Sequence, residues 1–116
     1  MAQLGRLIAS DHGDVTLLEL LGEHDAVTTR EINAQVYAQI ERGRNIVISL
    51  AHTAFVDSVV IAALYSAEQQ ARDAELRLVL HVGDDAPVAR VVSLAGLPDR
   101  LPCVSELKDA LALAGA

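Results

Sequence analysis

The sequence predicts an α/β fold, a mostly parallel sheet entered through a β-hairpin with helices between the later strands. Three observations carry this reading. The chain is 52% hydrophobic but only 3% aromatic, so its core is built from Val, Ile, Leu and Ala, in proportions that suit strands and helices together. Two β-prone runs flank a short Asp/Gly-containing segment near the start. After them, strand-like and helix-like periods alternate to the end. The 116 residues fit one domain, taken as residues 1–116.

Residues 5–10 and 15–21 are the two strands of the hairpin, with Asp11, His12, Gly13 and Asp14 as its turn. Residues 28–41 form the clearest helix. Thr28 and Glu31 make a T-x-x-E capping box, Ile32, Val36 and Ile40 recur every four residues, and Gly43 stops it. Residues 46–50 are almost continuously apolar, the pattern of a strand covered on both faces.

A loop through His52, Thr53 and Phe55 leads to Asp57, placed as the cap of a helix reaching about Asp73. Val60, Leu64, Ala67 and Ala71 are its inner stripe, and Glu68, Gln69 and Arg72 are expected in water. Residues 76–82 form the next strand. A third helix follows, with Pro87 in its first turn, Val88, Val91, Val92 and Ala95 facing inward, and Gly96 at its end. Residues 102–104 form a short edge strand, and Ser105 caps a last helix carrying Leu107, Leu111 and Ala114.

A formal charge of −7, from 9 basic and 16 acidic residues without a basic cluster, disfavours nucleic acid and anionic membranes as partners. A soluble protein with a complementary patch suits it better. Residues 45–67 are long and apolar enough to span a bilayer, but Asp57 sits near their middle, where a carboxylate costs about 2.5–3.5 kcal/mol on insertion scales. A strand, a loop and a buried helix account for that stretch. The lone Cys103 forms no internal disulfide, in keeping with a reducing cytosol, and reads as a small buried hydrophobe. The first residues lack the charged start and apolar run of a signal peptide.

Loops at the carboxyl ends of parallel strands gather functional residues, here His24, Asp25, His52, Asp57 and Ser58. Ser58 follows the cap Asp57 and so occupies a first helical turn, where unpaired N–H groups and the positive end of the dipole would meet an added phosphate. Such a phosphate brings about −1.5 to −2 charge beside Asp57. The simpler reading is that Ser58 is a common helix-start residue. A metal site at His24, Asp25, His52 and Asp57 is disfavoured because no ligand spacing is present. Gly-rich phosphate loops, nucleophile elbows and CxxC pairs are missing, so no enzyme is expected.

These segments resemble a known family. Leu21-Gly22-Glu23-His24-Asp25-Ala26-Val27-Thr28 looks like the G-E-x-D-x-x-T segment of STAS domains, and Ala54-Phe55-Val56-Asp57-Ser58 after an apolar strand looks like their F-x-D-S. Leu78-Val79-Leu80, Val88 to Val92 and Gly96-Leu97 continue the match over nearly the whole chain. The resemblance implies the α/β STAS fold, a mixed four-to-five-stranded sheet with about four helices mainly on one face. It also implies a cytoplasmic, non-enzymatic anti-sigma factor antagonist. Such a module binds an anti-sigma factor, often a GHKL-type serine kinase, and thereby releases a sigma factor. The phosphorylated serine maps onto Ser58, and a PP2C-type phosphatase resets it. ATP and Mg²⁺ belong to the kinase, and this chain needs no cofactor or metal.

The expected partner-binding residues are Glu23, His24, Asp25, Asp57, Ser58, Val59 and Val60. One departure stands out. Where the family reads D-S-[ST]-G-L-G, this chain reads Asp57-Ser58-Val59-Val60-Ile61-Ala62. Two alternatives follow, a STAS scaffold that is never phosphorylated and binds through an apolar Val59–Val60 patch, and a small-ligand or metal-binding protein using His24, His52 and Asp57.

Overall fold

The computed structural model describes residues 6–22, 26–53 and 56–115. Its elements are β1 (Arg6–His12), β2 (Val15–Gly22), α1 (Ala26–Glu41), β3 (Asn45–Thr53), α2 (Ser58–Asp73), β4 (Leu78–His81), α3 (Ala86–Leu94), a 3-10 turn (Leu97–Asp99), β5 (Cys103–Val104) and α4 (Leu107–Gly115). The five strands lie in the sheet in chain order. β1 runs antiparallel to β2, and the other three pairs are parallel.

Every parallel crossover moves the chain one strand further in the same direction, so the usual handedness of such connections puts their helices on one face. Strand alternation supplies the matching apolar surface. Leu18, Leu20, Ile46, Ile48, Leu50 and Leu80 pack against Ile32 and Val36 of α1, Val60 and Leu64 of α2, and Val88 and Val92 of α3. The odd-numbered neighbours Val15, Leu17, Val47 and Val79 face the other way and are covered by Ala110 and Ala114 of α4. Within the apolar stretch 45–67, residues 45–53 are thus a central strand and residues 58–67 the first part of α2. No helix among the described residues is long and apolar enough to cross a membrane.

The hairpin turn is tighter than expected, since β1 runs through His12 and only Gly13 and Asp14 lie between the strands, with Gly13 at φ 62°. Arg44 locks this turn to the α1–β3 junction. Its Nε donates to Thr16 Oγ1 at 2.7 Å, and its Nη2 donates to the carbonyls of Gly13 and Val15 at 2.8 and 2.9 Å. The Thr16 hydroxyl in turn donates to Gln39 Oε1 at 2.8 Å.

Several expectations are corrected. α1 begins at Ala26, so Thr28 lies inside the first turn and the Thr28–Glu31 capping box is not the helix start. α4 begins at Leu107, so Ser105 does not cap it; the Ser105 carbonyl instead faces His81 Nε2 at 3.2 Å. Glu68 is 5% exposed, not in water, because it continues the inner stripe of α2 and is paired with Arg72 and Arg100. Val91 is exposed, because α3 turns Val88, Ala89 and Val92 towards the core.

The far ends of β3 and β4 meet at Gly83. It sits at φ 78°, and a Cβ there would lie 2.9 Å from Ala51 Cβ. Gly83→Ala is therefore expected to lower stability by about 1–3 kcal/mol, from left-handed backbone strain plus the clash. Urea unfolding followed by circular dichroism checks this; an unchanged midpoint would refute the close approach.

Candidate functional site

α2 starts where it does because Asp57 caps it. With φ −109° and ψ −178°, Asp57 is still extended, and its Oδ1 accepts from the N–H groups of Val59 and Val60, both at 3.0 Å. Ser58 is the first helical residue and is exposed, as is Val59. Val60 is 1% exposed and belongs to the core. The expected Val59–Val60 surface patch therefore reduces to Val59, since the helical period that aligns position 60 with 64, 67 and 71 turns it inward.

The cap also changes what Ser58 can do. Two amides of the first turn are already bonded to Asp57, so a phosphate on Ser58 would find fewer helix donors than the bare sequence suggests. Its charge would instead stand beside a carboxylate and be presented outward.

Glu23, His24 and Asp25 lie outside the described residues, as do Ala54 and Phe55. The described strand residues that precede these two segments, Gly22 and Thr53, are paired in the sheet. His52 is not in a loop. β3 runs through Thr53, and a register irregularity after Ser49, where Leu50 and Ala51 answer the single residue Leu20, pairs His52 with Leu21. That places His52, exposed, on the sheet face opposite Leu20 and the three crossover helices. Among the described residues no group of three or more His, Cys, Asp or Glu is placed to hold a metal. Asp85 caps α3, its Oδ1 accepting from Val88 N at 3.0 Å, which accounts for one of the two acidic residues before that helix.

Two grooves flank Ser58. One, of about 410 Å³, lies between α1 and α2 and is bordered by Thr29, Asn33, Val59 and Ser66. The other, of about 540 Å³, lies between α2 and α3 and is bordered by Ile61, Tyr65, Val91 and Leu94. Ser58 and Ala62 border both, so they form the ridge between them. The second groove is held open by Tyr65, whose hydroxyl donates to the Ala95 carbonyl at the end of α3. Val59, Val91 and Leu94 are three of the six large hydrophobic side chains most exposed among the described residues, and Leu94 reaches 78%. A surface of this kind, with exposed apolar side chains around the Ser58 hydroxyl, suits a protein partner. Leu94 was the readable clue, an apolar residue outside the inward stripe of its own helix.

A family model described as the STAS domain matches residues 6–110. The chain belongs to the STAS domain family. Its fold is that of solved anti-sigma factor antagonists. An anti-sigma factor antagonist from Mycobacterium paratuberculosis superposes with a TM-score of 0.80 at 23% identity, covering 97% of this chain and 95% of the other. The anti-sigma factor antagonist SpoIIAA in its unphosphorylated form gives 0.78 at 18% identity, covering 96% and 98%. The Bacillus cell fate determinant SpoIIAA in its phosphorylated form gives 0.70 at 17%, covering 94% and 98%. No curated protein sequence matches the chain.

Within this STAS domain the two family glycines are replaced by residues with opposite fates. Val60 fills the core, and Ala62 stands exposed on the ridge next to Ser58. Both replacements favour helix over glycine, by up to roughly 1 kcal/mol each for a residue such as alanine.

Asp57→Ala is expected to cost about 1 kcal/mol in urea unfolding through loss of the cap, with Asp57→Asn near wild type; equal losses in both would show that capping is not its role. Cys103, half-buried against the larger core, has its thiol pushed up to about 11 by burial. Its thiolate fraction at pH 8 is then about 10⁻³, so iodoacetamide should label it at least tenfold more slowly than a free cysteine. Mass spectrometry of a labelling time course, compared with urea-unfolded protein, reads the ratio.

Proposed function

We propose that this STAS domain is an anti-sigma factor antagonist, a cytosolic switch module that binds an anti-sigma factor and so frees a sigma factor. In this reading the docking face is the ridge Asp57, Ser58, Val59 and Ala62 with the two grooves beside it. Glu23, His24 and Asp25, which follow β2 in the sequence, are assigned to that face on the family resemblance alone. Val60 contributes from beneath by holding the helix start. The anti-sigma factor would be a GHKL-type serine kinase that phosphorylates Ser58, and a PP2C-type phosphatase would reverse it. The kinase supplies ATP and Mg²⁺, and the STAS domain acts by binding.

The observation that carries this reading is Ser58 itself, an exposed hydroxyl at a helix start between two grooves, of which the one towards α3 is apolar. The family match and the fold shared with the antagonists named above support it. One of those structures is described as a phosphorylated form. Physically, unmodified Ser58 lets an apolar partner surface close over both grooves. A phosphate would put about −1.5 to −2 charge next to Asp57 under that surface, and desolvating it would oppose docking.

Incubation with the cognate kinase and ATP should place phosphate on Ser58 and none on Ser58→Ala, read by mass spectrometry. Ser58→Asp should weaken kinase binding by at least tenfold, while Ser58→Ala keeps it. A second reading rests on the missing glycines at Val60 and Ala62, whose side chains narrow the approach to the helix start. In that reading the domain binds its partner without being phosphorylated. Tight kinase binding with no label on Ser58, and unchanged binding by Ser58→Asp, would select it.

A further inference from the structure

At the other end of α2, three helical turns from Ser58, a cavity of about 540 Å³ opens between the end of α2, the amino end of β4 and the segment leading into β5. Its floor and walls are apolar, from Ala71, Leu76, Leu78, Leu101, Pro102 and Leu113. Its charges are unlike those of the rest of the molecule. Arg72, Arg77 and Arg100 line it against Glu68 and Glu75, a local balance of +1 on a chain of −7.

Glu68 is the unusual member. It occupies a core-facing position of α2 where an aliphatic side chain would pack more cheaply, and it is 5% exposed. One carboxylate oxygen meets Arg72 Nη2 at 2.5 Å and the other meets Arg100 Nη2 at 3.1 Å. The Arg100 guanidinium also lies 5.8 Å from the centre of the Tyr65 ring. Arg72 at the last turn of α2 is accounted for by the helix dipole, but a buried carboxylate that fixes two guanidiniums at a cavity wall is not. Such a carboxylate is what pre-organises cationic groups for a ligand. Among the described residues Arg100 makes one side-chain hydrogen bond, to Glu68, which leaves N–H donors of its fork for another acceptor.

We propose that this cavity binds a small amphipathic anion, its carboxylate or phosphate head held by Arg100 and Arg72 and its aliphatic body lying on Leu76, Leu78 and Leu101. The site is separate from the Ser58 face and does not depend on the function proposed for it.

The test uses decanoate, decyl phosphate and decanol, each below its micellar concentration, titrated into the full chain and followed by isothermal calorimetry and backbone amide NMR. The expected result is saturable one-to-one binding of decanoate, decyl phosphate or both, with shifts confined to residues around the cavity. Which of the two binds tells a carboxylate from a phosphate ligand. Decanol should bind at least tenfold more weakly. Arg100→Gln should weaken anion binding at least tenfold. Leu113→Trp, which enlarges an exposed apolar lining residue and leaves Glu68, Arg72 and Arg100 in place, should abolish it, and it decides the matter if Arg100→Gln does not fold. Absence of saturable binding by either anion, binding of decanol as tight as theirs, or binding that survives Leu113→Trp would each overturn the proposal.

Discussion

The alternation of side chains along β3 and β4 is the constraint on which the rest of the structure depends. Ile46, Ile48 and Leu50 must go to one side and Val47 and Ser49 to the other, as must Leu78 and Leu80 against Val79 and His81. A shift of one residue would exchange the two sets and expose the larger core. Given this register, three helices have a face to cover and α4 has the reverse. Even the polar members conform, for Ser49 Oγ and His81 Nδ1 meet at 2.8 Å in the layer under α4 rather than in the aliphatic core.

α2 joins the two halves of the functional picture. Its first turn presents Ser58 and Val59, its middle fills the core through Val60, Leu64 and Ala67, and its last turns carry Glu68, Ala71 and Arg72 to the cavity. One rigid element of 16 residues thus links a solvent-facing hydroxyl to a buried carboxylate about 15 Å away.

Much of the fold was legible because its signals are local. Apolar runs at 15–21 and 46–50 and a four-residue period from Val60 to Ala71 need no tertiary context, and Asp57 as a cap is a matter of neighbouring atoms. What could not be read depends on partners distant in the chain. Glu68 looks like any exposed acidic residue until Arg100, 32 residues later, is seen against it. His52 looked like a loop residue because the irregularity that extends β3 is set by pairing with β2. At the candidate site, Ser58 was legible from its position after a cap. Val60 carries two readings that exclude each other: its place in the inner stripe, set by the helical period, holds, and its place in a surface patch, suggested by the family pattern, does not. Leu94 gained its meaning only when α3 was placed beside Tyr65 and Ile61.

The strand order has a consequence for how the chain is made. Each strand pairs with the one made immediately before it, so the sheet can be extended step by step as the polypeptide leaves the ribosome, without waiting for a later segment to be inserted between earlier ones. The aliphatic layer of Val15, Leu17, Val47 and Val79 is the exception, since its cover, α4, is translated after all five strands. Until then a nascent chain carries one finished side and one sticky side, and that interval is when a chaperone would have most to protect.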